Sequence, residues 1–452
     1  MTRWWMLALL AAAAPAEGQQ LTLGEALARA GRGSFSNRVA DGHAVVARSQ
    51  GTAALRGILP TVRLETGFMR TTDPIGAFGT SLRQRRISQA DFDPARLNYP
   101  AGTDNYVGSV IVEQPLLNAD AHLGRAAAGR AADAAREQWS WTRIGTRLEV
   151  IRAYYGAVLA AEKERTLAAA HRAAQQHVTA AEAMQRQGVV TKSDALLAAV
   201  KAGELEVQLV EARGEARLGM GSLALLLGTP GDTLRVPEQL PGTAVVRRLL
   251  GGEIPGEARA RADVRAAERG LGAARLDVAR ATSLHLPRVN AFGRYDWNSA
   301  DSPFRGDENW TVGVMASWTV FGGAGEWAER QAAGGRAVAA KAQAEAALAR
   351  AELEEAQAEN ARQTALLRLE VMERGAQQSA EAHRIVARRY AGGLASVVEL
   401  LQAAAVETGS ALALSHAKYT GIVVEGERRR AAGQDPAALA QAMESEIVGL
   451  SR

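Results

Sequence analysis

The 452-residue sequence predicts a mainly α chain with a small β part, built as two copies of one design. Apolar residues recur at three and four over stretches of roughly 70 residues, enough for about 100 Å of helix. Four short segments alternate apolar and polar residues at period two instead. The halves repeat. Gly188 lies under Gly393, Thr191 under Ser396, Asp194 under Glu399, and Leu196-Leu197 under Leu401-Gln402, each about 205 positions apart.

Apolar residues make up 47% of the chain but aromatics only 5%, which favours extended helices with narrow apolar seams over a compact core. The formal charge of +4 comes from interleaved acids and bases, and no Lys/Arg block reads as a nucleic-acid patch. The absence of Cys excludes disulfides, thiolate metal sites, a Cys nucleophile and a lipidated N-terminal Cys.

Residues 1–16 read as a secretory signal: Arg3, an apolar run from Trp4 to Ala14, then Ala14-Pro15-Ala16 at the cleavage position. No later stretch reaches the ~20 apolar residues of a spanning helix. The first repeat covers 17–228. It opens on LTLGEALARA, where Thr22 and Glu25 form a capping box, and loosens near Gly31 and Gly33. Leu59-Pro60 ends that helical region, and strands are expected at 61–70 and 106–113, joined by a long polar loop. A long helix follows to Gln187, then a tip near 188–193 and a returning helix to Leu227. Residues 229–257, rich in Gly and Pro, read as a linker.

The second repeat, 258–430, restates this order. Leu286-Pro287 precedes strands expected at 288–297 and 310–321, and Val312-Gly313 repeats Val107-Gly108. A long helix runs to Arg389, the tip falls near 392–396, and a helix returns from Val397. Residues 431–452 read as a C-terminal tail, poorly ordered from Gln434.

Trp310, Val312, Val314 and Trp318 share one face of the clearest strand, with Trp at both ends. Alone, this fits a soluble sandwich as well as a lipid-facing barrel strand. The exported context and the lack of a spanning helix favour an outer membrane. Four strands cannot close a barrel, and an open edge in lipid leaves unpaired backbone groups at several kcal/mol each. Several chains must therefore share one barrel.

The LTLGEALARA opening, the two Leu-Pro strand starts, the two Val-Gly strands and the tips GVVTKSDALLA and YAGGLASVVELLQA, in this order and duplicated, resemble the TolC-like outer-membrane efflux protein family over nearly all of 21–430. The resemblance implies a homotrimer in which each protomer gives four strands to one shared β-barrel. It also implies that long antiparallel helical hairpins form a periplasmic α-barrel. The implied partners are outer-membrane lipid, a periplasmic adaptor and an inner-membrane transporter, as in tripartite efflux or type I secretion. Glu399 falls where the family carries an acidic constriction, and Gln402 stands where a second acid is common. Tyr390 and Asp194 match an entrance latch. A basic residue that often assists it is replaced by Ala395. Asp194 reads equally well as a helix cap, a role Ser193 could also fill. Gly188, Val189, Val190 and Thr191, with Gly393, Leu394, Ala395 and Ser396, match tip residues that meet the adaptor.

No motif argues for an enzyme or a bound cofactor. Gly322-Gly323-Ala324-Gly325 lacks the GK[ST] of a phosphate loop, and the seven His form no HExxH pair. The competing reading is a periplasmic coiled-coil adaptor or scaffold, which would not need the four alternating segments.

Overall fold

A computed structural model describes residues 20–443; the expected signal at 1–16 and the end of the expected tail, 444–452, lie outside them. The elements in order are α1 (Leu23–Gly33), α2 (Phe35–Ala53), β1 (Thr61–Thr71), α3 (Pro74–Arg83), α4 (Pro94–Asn98), β2 (Thr103–Leu117), α5 (Ala119–Arg186), α6 (Lys192–Leu227), α7 (Thr243–Gly251), α8 (Ala262–Ser283), β3 (Arg288–Ser299), β4 (Asp307–Ser317), α9 (Gly325–Ala391) and α10 (Val397–Ala431). The repeat is visible in lengths: α5 and α9 have 68 and 67 residues, α6 and α10 have 36 and 35. The described residues group into two compact units.

Among the described residues, the first unit takes 20–42, 137–265 and 347–443. Its main core joins Ala26 and Leu27 of α1, Val150 and Ile151 of α5, Leu223 and Leu227 of α6, Leu369 of α9 and Ile422 of α10. Thr22 and Glu25 cap α1 reciprocally, and Tyr154 Oη donates to Leu21 O at 2.8 Å. Burial, then the Glu25 charge, push that phenol up to about 12. A buried carboxylate fastens the segment between the repeats: Glu162 accepts from the Leu240 N–H and Ser415 Oγ, each at 2.6 Å, and from Lys418 Nζ at 3.3 Å. Burial alone would raise this carboxyl. The Ser415 bond, the Leu240 N–H and the Lys418 charge outweigh it and hold the group below the ordinary range.

The segment between the repeats is more than a linker. Val245, Val246, Leu249 and Leu250 are buried on one face of α7 against α10. Gly421 makes room, since a Cβ there would lie 2.7 Å from Val246 Cγ1. The expected loose tail is also docked as far as Met443, with Leu439, Ala440 and Met443 in the core. The expectation of no later spanning-length stretch needs correcting as well. A window of α10 reaches mean hydropathy 1.4, long and apolar enough to cross a membrane by composition. Its two ends instead supply packing residues, Val397 and Leu400 to one cluster and Ala417 and Ile422 to another.

The second unit, 43–136 and 266–346, holds the sheet. Its strands pair antiparallel in the order β1-β2-β3-β4. Pro60 and Pro287 lack the N–H that would extend the preceding helices, and strands begin at the next residue. β2 extends beyond 106–113 on both sides. β4 ends at Ser317, so Trp318 lies just past it, its Nε1 donating to His285 O at 2.9 Å. The expected long polar loop after β1 contains α3, a 3₁₀ turn at Gln89–Phe92 and α4. Asp73 and Asp93 accept from N–H groups at 2.6 and 2.9 Å to start the two helices, each followed by Pro.

Candidate functional site

Strand register sorts the sheet into two faces. Leu64 pairs with Val110, Val110 with Tyr295, and Tyr295 with Trp310. Alternate residues share a face, so Val62, Leu64, Phe68, Tyr106, Val112, Trp297, Val312 and Val314 lie on that same side. Trp310, Val312 and Val314 are 70%, 69% and 66% exposed. The opposite face is polar and bonded across strands. Arg63 Nη2 donates to Glu113 at 2.7 Å, Asn105 Nδ2 to Asn298 Oδ1 at 3.0 Å, and Arg294 Nη2 to Ser109 Oγ at 3.1 Å. Gln84, just after α3, donates to Asp104 O at 2.8 Å and Asn105 Oδ1 at 2.9 Å on this polar side. The polarity is inverted relative to a soluble sandwich: the apolar surface is the open one. Trp310 stands at one end of this exposed apolar row, whereas Trp318 falls beyond the ladder.

The two tips have matching backbones. Gly188 and Gly393 sit at φ +77° and +73°, the left-handed conformation that closes a helix C-terminus. The N–H groups of Val189 and Leu394 then reach back to Met184 O and Arg389 O at 3.0 and 2.8 Å. Each returning helix starts with a capping box. Thr191 Oγ1 accepts from the Asp194 N–H at 3.2 Å while Asp194 accepts from the Thr191 N–H at 3.0 Å. Ser396 and Glu399 repeat the arrangement at 3.2 and 3.4 Å. Thr191, not Ser193, is the cap; Ser193 lies inside α6.

The tips come together in one apolar cluster. Ala181, Ala195, Ala198, Tyr390, Val397, Leu400 and Leu401 are buried there, with Val190 and Ala395 packed against them. Tyr390 is thus a core residue. Burial, then the nearby Asp194 carboxylate, raise its phenol above the ordinary range. Among the described residues no hydrogen bond joins Tyr390 to Asp194 within the protomer, and the Asp194 carboxylate is occupied by Thr191. Glu399 and Gln402 are exposed on the side of α10 away from Leu400 and Leu401, as are the tip residues Gly188, Val189, Gly393 and Leu394. Sequence reasoning missed Arg389. Its guanidinium lies 3.8 Å from the Glu399 carboxylate and donates to Leu394 O at 2.9 Å, bracing the second tip. A basic residue in the last turn of a helix was the available signal; its pairing across the turn was not. Among the described residues no group of three or more His, Asp or Glu side chains is arranged to hold a metal ion.

The family profile described as "Outer membrane efflux protein" matches residues 44–229 and 255–421. No curated protein sequence matches the chain. The fold is similar to that of the outer membrane protein VceC from Vibrio cholerae, at 20% identity and TM-score 0.74, covering 91% of this chain and 96% of that one. It is also similar to the Campylobacter jejuni CmeC outer membrane channel, at 16% identity and TM-score 0.74, covering 94% and 89%. The open state of the Neisseria gonorrhoeae MtrE outer membrane channel matches at 18% identity and TM-score 0.71, covering 91% and 89%.

Proposed function

Since this chain belongs to the outer membrane efflux protein family, we propose that it is the passive exit duct of a tripartite efflux or type I secretion system, acting as a homotrimer. The family is one of outer-membrane efflux channels rather than enzymes. The observation that carries the finer reading is the sheet, apolar on its open face and polar on the other, with β1 and β4 as unpaired edges. In lipid those edges need partners, and β4 of one protomer pairing with β1 of the next supplies them. Three copies would give about twelve strands, within the range of outer-membrane barrels.

We assign the tips to the periplasmic entrance and to contact with the adaptor, which passes substrate on from an inner-membrane transporter. The exposed Val189 and Leu394, 65% and 73% accessible, support a contact role. Glu399 supplies a single acidic ring about the three-fold axis, with Gln402 giving no second one. Asp194 holds its helix cap and can meet Tyr390 only across a rearranged tip.

Planar-bilayer recordings test these assignments together. Glu399→Gln should weaken cation preference and block by divalent cations while leaving trimer stability unchanged, because Gln preserves the capping box. Asp194→Ala and Tyr390→Phe should both raise conductance if the pair latches the entrance. If only Asp194→Ala acts, Asp194 is a cap alone; selectivity unmoved by Glu399→Gln would put that residue off the pore axis.

A further inference from the structure

Between the two hairpins, α5, α6, α9 and α10 line a cavity of about 560 Å³ whose wall includes alanines such as Ala170, Ala174 and Ala404. Its titratable and charged side chains are His177 from α5, Lys201 and Glu204 from α6, His383 from α9 and Glu407 from α10. Lys201 and Glu204 neutralise each other at 2.8 Å. The imidazoles of His177 and His383 cross edge to face, centroids 6.4 Å apart and planes at 81°. His383 Nδ1 is in hydrogen-bond contact with the Glu407 carboxylate. The Nε2 atoms of both histidines are buried without a hydrogen-bond partner. None of these residues belongs to the tips or the sheet, and the duct reading uses none of them.

We propose that His177, packed against the His383–Glu407 pair, is a proton-sensitive lock on the packing of the two hairpins, closed while its imidazole is neutral and released by acid. A neutral imidazole has only one N–H to satisfy. Protonation turns both ring nitrogens into donors. The buried Nε2–H of a protonated His177 would then face no acceptor, which is costly away from water. Glu204 is already committed to Lys201 and Glu407 to His383, so neither carboxylate is free to offset a charge on His177. A metal ion is the other species that could satisfy two imidazoles, but Glu407 engages Nδ1 of His383, which leaves no third ligand on the Nε2 side.

Burial, then the charge on a protonated His383, hold His177 below its ordinary value of 6.5. The packed form therefore binds fewer protons than the loosened form. Its advantage is complete above about pH 6.5 and falls as pH drops below that value. His177 and His383 lie 11 and 10 residues from Gly188 and Gly393, roughly 15 Å along the helices. Loosening here bears directly on the tips. The lock concerns packing within one protomer and stands whether or not the chain conducts.

Because the chain has no Cys, spin labels can be placed cleanly at Arg172→Cys on α5 and Gln378→Cys on α9, in assemblies diluted with unlabelled chains. Distance distributions measured from about pH 8 to about pH 5 should shift to longer, broader separations below about pH 6.5. The shift should vanish in His177→Gln, which leaves the His383–Glu407 pair intact. A transition that persists in His177→Gln, or none in the parent protein, overturns the proposal. So does stoichiometric Zn²⁺ binding near pH 7.5 that His177→Gln abolishes, which would make the pair a metal site.

Discussion

Val312→Arg is expected to abolish the assembled protein in the outer membrane, whereas Met315→Arg, three residues along the same strand, is expected to assemble. In one protomer the two positions are similarly exposed, at 69% and 58%, so accessibility does not separate them. Register does: Val312 pairs with Gly293 on the apolar face, and Met315 with Asn290 on the polar one. An arginine facing lipid costs up to about 2–4 kcal/mol, most at the bilayer midplane and less toward its edges, and a symmetric assembly carries it in every protomer. An arginine facing a water-filled lumen costs little. Heat-modifiable mobility of outer-membrane fractions reads the outcome. Equal assembly of the two variants would mean that the apolar face does not meet lipid.

The second large effect is expected at Gly228, which ends α6 at φ +79°. A Cβ there would lie 2.1 Å from Gly33 O, and one on Gly33 would lie 2.4 Å from Leu227 O. Both clashes are with backbone, which no rotamer change relieves. Gly228→Ala combines left-handed strain with forced separation of α1 from α6, on the order of 2–5 kcal/mol in all. Gly231→Ala makes the matched control. Its φ is +97° but nothing lies within 4 Å, so it carries strain alone. Thermal unfolding should show a much larger loss for Gly228→Ala; equal losses would mean that the α1–α6 contact is loose.

Much of this was legible in the sequence because it is written as period and repetition. The helices follow from spacing at three and four. The tips follow from the offset that superposes Gly188 on Gly393, and the strands from Leu-Pro punctuation followed by alternation. The boxes at Thr191/Asp194 and Ser396/Glu399 have the same spacing as the Thr22/Glu25 box, so the capping role was readable there too. What escaped depends on partners distant in sequence or on turns whose conformation composition does not fix. The Arg389–Glu399 contact exists only once Gly393 has reversed the chain. The face of α7 needs α10 to hide it, and Gln84 needs Asn105. His177 and His383 stand 206 positions apart and meet only when the hairpins pack. Trp318 alternates with the strand in sequence, yet the ladder stops at Ser317, where the chain turns toward α9.

The central claim is that this sheet is one part of a barrel closed by other copies of the chain. Native mass spectrometry of the protein extracted from outer membranes in mild detergent tests it most directly. The account predicts a particle of three chains that survives extraction and inserts into planar bilayers as one conducting unit. A monodisperse single chain that keeps its β signal would contradict it, because the edges of β1 and β4 would then be stable without partners.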